Sequence, residues 1–273
     1  MEKMRLISLG LVLSFIFSGP LSAEPLATSA RQLPKGSLKL LTYYQNTEDQ
    51  ALNFSVQGNG GCATAAGVTF ACGQGNDVSV DGSGGAAVAK LVYQPWESFQ
   101  YYTSLGVGDY GIKVPSTTIT NALTADRLGG FVTVGFKAVL YPDTLVTPAI
   151  ALDMAVTRSQ YFFNRRFPGG TPGVSGNINQ RLDLTEYQIA VESSHLFTIN
   201  EIFKLEPYGG VRWTKLRADL KDLVTGNHAG GYKDSVRPFF GLRLPFYEHE
   251  AFFAEASFVD GTQYATGLEI RFK

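Results

Sequence analysis

The chain has little that would build a membrane helix or bind nucleic acid. Beyond its N-terminal segment, none of its 273 residues lies in an apolar run approaching the ~18 residues of a membrane-spanning helix. Neither sign of charge prevails. The 23 basic and 24 acidic side chains leave a net charge of −1, which argues against a nucleic-acid partner. Charged residues are few, at 17%, and there are only two cysteines and three histidines. Glycine is abundant, with 30 residues, as are phenylalanine and tyrosine, with 19 and 13. This balance suits a β-rich chain with an apolar residue at one position in two.

Residues 1–23 read as a secretory signal. Lys3 and Arg5 give a positive start, and Leu6 opens an apolar run that ends at Phe17, too short to span a bilayer. Leu21, Ser22 and Ala23 then offer a small residue before a cut, so the mature chain is expected to begin near Glu24. No cysteine follows the run, which argues against lipoprotein processing. The alternative is a retained anchor. Residues 24–35 are polar without a period and are expected to form a loose periplasmic leader. Residues 36–273 are expected to form one domain.

That domain reads as ten strands, by alternation of apolar and polar side chains. They are predicted over 37–45, 86–93, 99–108, 131–140, 147–157, 185–194, 203–214, 236–244, 251–258 and 262–273. The third is the cleanest: Phe99, Tyr101, Thr103, Leu105 and Val107 share one face, and Gln100, Tyr102, Ser104, Gly106 and Gly108 the other. Connections alternate in length. Those over 46–85, 109–130, 158–184 and 215–235 are long and the intervening ones short, except for a tight turn, Val259-Asp260-Gly261, after the ninth strand. Ten aromatics fall at the ends served by short turns: Tyr93, Trp96, Phe99, Tyr141, Phe197, Phe203, Phe246, Tyr247, Phe252 and Phe272. Core aromatics of a soluble β-sandwich are the competing explanation. Pro207 and Pro238 lie within predicted strands and remove ladder donors, near strand starts where bulges are tolerable.

The chain ends in TQYATGLEIRFK. Tyr264, Leu268, Ile270 and Phe272 share one face, and Glu269 and Arg271 the other. With the signal segment, the alternation and the loop asymmetry, this ending resembles that of small bacterial outer-membrane β-barrel proteins. The resemblance covers nearly all of the mature chain and implies an all-β fold: a transmembrane antiparallel up-and-down barrel of ten strands, within a range of eight to twelve. It also implies residence in the outer membrane, contact with its lipid, and insertion by the barrel-assembly machinery. Tyr264, Leu268, Ile270 and Phe272 would act as the insertion signal. Lys273 after the closing aromatic is a departure from the pattern. An even strand count puts both ends on the periplasmic side, so the last strand is expected to close against 37–45.

The inward face would carry Lys39, Lys90, Lys137, Arg212, Arg237, Arg243 and Arg271 against Asp153, Glu186, Glu192, Glu206, Glu255 and Glu269. A balanced lining predicts buried ion pairs filling the lumen, because an unpaired charge in a narrow interior is expensive. The role would then be structural or interactive, through external loops. A narrow porin-like path for small solutes is the alternative.

A third reading, an outer-membrane hydrolase, rests on His228 with Asp222 and Asp234. Ten strands match the omptin protease barrel in count, but there is no Asp-x-His pair like the omptin motif and no Gly-x-Ser-x-Gly elbow. His195 and His249 fall in short turns. No catalytic group, metal site or cofactor is expected. The segment SQYFFNRRFPGG places Arg158, Arg165 and Arg166 among aromatics. It reads as a strand continuing above the membrane with arginines at lipid headgroups, or as a surface for a partner.

Cys62 and Cys72 flank a short segment of the first long connection, and an exported chain passes an oxidising compartment. A disulfide between them is predicted. A metal site is the weaker alternative, since no histidine or acid lies between the two. Intact mass spectrometry of the unreduced protein should show both thiols oxidised; two free thiols would overturn the pairing.

Overall fold

The computed structural model describes residues 24–55, 64–65, 68–69, 77–114, 121–124, 128–168, 176–200, 203–224 and 228–272. Ten long strands form the wall: β1 (Leu38–Ser55), β2 (Asp77–Trp96), β3 (Phe99–Gly108), β4 (Gly129–Tyr141), β5 (Ala149–Pro168), β6 (Gly176–Ser194), β7 (Lys204–Asp222), β8 (His228–Pro245), β9 (Glu250–Ser257) and β10 (Thr262–Phe272). Each pairs antiparallel with the next. The sheet closes on itself from Leu38 opposite Phe272 to Glu48 opposite Thr262. The fold is therefore the expected antiparallel up-and-down barrel, and the first and last strands meet as anticipated. No helix occurs among the described residues.

The predicted strands are too short on one side. β5, β6, β7 and β8 continue well into what the sequence marks as long connections. The continuation keeps the same two-residue alternation but exchanges the chemistry of its faces. On β6, Val191, Ile189 and Tyr187 point outward over inward Glu192, Gln188 and Glu186; higher up, Asp183 and Arg181 lie outside and Leu184 and Leu182 inside. On β7, outward Val211 and Trp213 give way to Lys215 and Arg217, while Leu216, Ala218 and Leu220 turn inward. The upper part is thus a water-facing barrel with its own apolar core. Leu52, Val80, Ile112, Phe163, Leu182 and Leu220 fill it, and Tyr110 stacks on Tyr161 at 5.0 Å. The part of SQYFFNRRFPGG up to Pro168 belongs to this upper wall, with Tyr161 and Phe163 buried inside.

The upper part also has fewer strands. β9 and β10 stop at the turn 259–261, where Val259, Asp260 and Gly261 all have positive φ, of 93°, 58° and 100°. A Cβ on Gly261 would lie 2.4 Å from the Glu48 carbonyl oxygen, so β1 crosses close over this turn. β1 then pairs directly with β8, Phe54 opposite Gly231. Across the barrel, short pieces at Gly111–Val114 and Asn121–Thr124 stand in for β3 and β4 between β2 and β5. The wall narrows from ten strands to eight. The tight turn after β9, an exception to the loop pattern, is where this narrowing occurs. β6 has 19 residues where β9 has 8, so its top stands roughly 25 Å higher along the barrel axis.

Inside the lower wall, large rings lie against glycines on the paired strand. Tyr102 is opposite Gly135 and Tyr208 opposite Gly241. A Cβ at either glycine would meet the ring at 2.3 or 2.1 Å. The register of β7 with β8 runs unbroken through Pro207 and Pro238, so neither proline forms a bulge in that pair.

Replacing Gly241 by leucine should therefore cost about 1–3 kcal/mol or more through overpacking. Gly230→Ala, where no atom lies within 4 Å of the added carbon, should stay within about 0.5 kcal/mol of the parent. Urea unfolding followed by gel mobility of the folded band measures both.

Candidate functional site

The lower lumen is where the polar faces of ten strands converge, and it is occupied by the chain itself. Of residues 24–35, expected to be loose, 24–33 run down its interior, and Pro34 and Lys35 are exposed where the chain turns into β1. Leu26 and Ala30 are fully buried and Glu24 is 4% exposed. The run Ala27-Thr28-Ser29-Ala30 has side chains small enough to pass between the inward groups of the wall. Leu26 packs on Ala190, Tyr208 and Phe239, and Ala30 on Val139, Ala149 and Ala151.

This segment is neither helix nor strand, so its amides and carbonyls need partners from elsewhere. Side chains of the wall provide them. The Glu255 carboxylate accepts from the Leu26 and Ala27 amides at 3.1 and 2.8 Å, and also from the Tyr208 hydroxyl. Lys90 donates to the Leu26 carbonyl at 3.0 Å, and Arg212 Nη1 to the Glu24 carbonyl at 3.0 Å. Lys137 donates to the Thr28 carbonyl, the Thr28 hydroxyl and the Ser29 carbonyl, and pairs with Glu192. Lower down, Gln94 and Gln100 hold the Leu33 amide and the Arg31 carbonyl. Arg31 reaches Asp143 at 3.3 Å and Glu206 at 3.5 Å at the lower mouth, where His195 also meets Asp143.

The Glu24 side chain sits deepest. Its Oε1 accepts from the hydroxyls of Tyr43 at 2.7 Å and Ser104 at 2.5 Å, with Lys90 Nζ at 3.5 Å. A second network runs below: Lys39 to Glu269 at 3.2 Å, Arg243 to both Glu269 oxygens at 2.6 and 3.1 Å, and Arg243 to Glu206 at 2.7 Å. Tyr102 donates to Asp153 at 2.7 Å, and Lys90 lies 3.9 Å above the Tyr102 ring.

Most charges read from the sequence as inward are therefore in the lumen, but only some pair directly with one another. Lys90, Lys137, Arg212 and Glu255 are shared with the N-terminal segment. Arg237 and Glu186 face in above it, and Arg237 donates to Ser235. Arg271 is the exception. It lies at the lower rim and donates to the Glu248 carbonyl at 2.7 Å, because its strand ends below the closed part of the lumen. Glu24 was not read as a lumenal residue at all. The signal that points to it is the run of small residues from Ala27 to Ala30 that follows it.

Tyr264, Leu268, Ile270 and Phe272 face the exterior of β10. All ten end-of-strand aromatics are on the outer surface, each at least 39% exposed, at the lower end of the wall. Above them, outward Leu105, Val107, Val134, Val156, Val191 and Val236 form an apolar belt. His228 opens β8 beside the end of β7, whereas Asp234 lies six residues along the same strand, about 20 Å away. The three residues of the hydrolase reading are not gathered into one site. Cys62 and Cys72 lie outside the described residues.

No protein-family model matches the chain, and no curated protein matches its sequence. Solved structures do. The chain is similar to the translocator domain of the autotransporter NalP from Neisseria meningitidis, at 11% identity over 100% of this chain and 95% of that one, with a TM-score of 0.46. It is also similar to the outer-membrane protease OmpT from Escherichia coli, at 9% identity over 90% and 100%, TM-score 0.49. A third is the outer-membrane protein OprG from Pseudomonas aeruginosa, at 9% identity over 90% and 99%, TM-score 0.44. At these values the activities of those proteins do not carry over to this chain.

Lys137 tests the lumenal network. Lys137→Met leaves the buried Glu192 carboxylate unpaired and should cost about 3–5 kcal/mol of stability. The double variant Lys137→Met/Glu192→Leu should regain much of that loss in the same urea titration.

Proposed function

We propose that this protein is a bacterial outer-membrane barrel, closed by its own N-terminal segment, that holds an eight-stranded external extension above the membrane for interaction. The observation that carries the reading is the burial of residues 24–30 and Leu33 in the lumen, with wall side chains satisfying their backbone. Above this plug the apolar core of the extension fills the upper lumen.

The exterior supports a membrane setting. An aromatic girdle below and an apolar belt above it would meet the lower interface and the hydrocarbon. The belt ends where Arg158, Thr185 and Arg217 stand side by side on adjacent strands. Ion pairs take over higher up: Lys221 with Asp219 at 2.9 Å and Arg181 with Asp183 at 3.0 Å. That row is the level at which lipid would give way to water, with the arginines among headgroups. Lipid is one partner in this reading. The outward residues of β10 would be the signal for the assembly machinery. The role is display or attachment through the upper end, not catalysis.

Planar-bilayer recordings test the closed lumen. The intact protein should give no stable openings, because residues 24–33 fill the lower lumen and the apolar core the upper one. Sizeable openings from the intact protein would favour the solute-path alternative and overturn the plug.

A further inference from the structure

We propose that the lumen is a binding site for a free N-terminus, and that the site is completed by an α-ammonium group on Glu24. This rests on the closed-barrel reading and on processing after Ala23. Water is added across the Ala23–Glu24 amide by the signal peptidase, leaving a carboxylate on Ala23 and an ammonium on the Glu24 nitrogen.

The first four residues of such a chain are held as a receptor holds a peptide. The Glu24 side chain has Tyr43, Ser104 and Lys90; its carbonyl has Arg212. Pro25 has no N–H to satisfy. The next two amides share Glu255. These contacts come from β1, β2, β3, β7 and β9, so five of the ten strands converge on one end of one segment.

Beside Glu24 is a cavity of about 20 Å³, the scale of one small polar group. Its lining is rich in oxygen: Glu24, Gln45, Gln50, Thr157, Ser159 and Glu186. Two of these residues carry buried acceptors that no described residue satisfies, Glu24 Oε2 and Gln45 Oε1. Phe131, Leu184 and Leu216 also line the cavity and are apolar, and Tyr161 completes the lining. The donors in this lining are neutral, the hydroxyls of Thr157, Ser159 and Tyr161 and the amides of Gln45 and Gln50, and no cationic side chain is among them. An α-ammonium on Glu24, a residue that lines the cavity, would carry three N–H groups and one charge. An ordinary peptide nitrogen at the same position brings one N–H and none.

The test uses protein purified from the outer membrane. Its intact mass should place the first residue at Glu24, and a different first residue would overturn the proposal. Acetic anhydride should then modify the α-amine of the folded barrel at least about tenfold more slowly than that of the urea-unfolded chain, since modification requires local opening. Equal rates would overturn the site. A refolded variant with one extra glycine before Glu24 should lose its folded gel band at a lower temperature than the Glu24-initiated chain; an unchanged temperature would also count against the site. Bilayer recordings separate the two readings. If the glycine-extended and parent barrels are both closed while the amine is freely modified, the plug stands and the ammonium site falls. If the parent barrel conducts, the plug itself falls.

Discussion

The constraint on which this structure depends is that a narrow barrel must satisfy its inward polar groups from within. The lower wall turns its apolar side chains outward, so the alternation of each strand commits the opposite residues to the lumen. Ten strands enclose too little space for bulk water among large side chains. Charges such as Lys137 and Glu255 therefore need fixed partners, and some of those partners are main-chain groups of the N-terminal segment. The dependence is mutual. The segment has no regular structure and would leave its own amides unsatisfied without the wall. Removing either side orphans the other.

The wall was legible in the sequence because a period of two survives without any knowledge of partners. Strand count, closure and the outward face of β10 follow from it, and the aromatic girdle follows from where the short turns lie. The lumen was legible only by residue type. Inward charges could be named, but not their pairing, because pairing depends on heights around a closed wall. Arg271 shows the limit: its alternation is inward, but its height puts it at the rim. The leader was misread for a different reason. A segment held by side chains carries no periodicity, so the test that finds strands reads it as loose.

The lengths of the strands were misread for a third reason. Apolar outward residues mark a strand only where the surroundings are lipid. On β6 and β7 the alternation continues unchanged past Thr185 and Lys215, but Leu184, Leu182, Leu216 and Leu220 now lie on the inner face. Each of these strands carries two opposite amphipathic patterns joined end to end. The reversal of pattern records a change of solvent, and reading it as a strand end converted half of each strand into a connection. The boundary itself was present in the sequence as the point where outward residues become charged.

The tight turn between β9 and β10 has a consequence for how the wall is completed. The eight-stranded upper part closes through β1 and β8 without the last hairpin. Once that ring exists, the gap beneath it has a fixed width, bounded by the lower halves of β8 and β1. Pairing of β10 with β1 then joins edges already tethered to each other, and the encounter is intramolecular, at an effective concentration set by the ring. The seam of this barrel is a panel fitted into a standing frame.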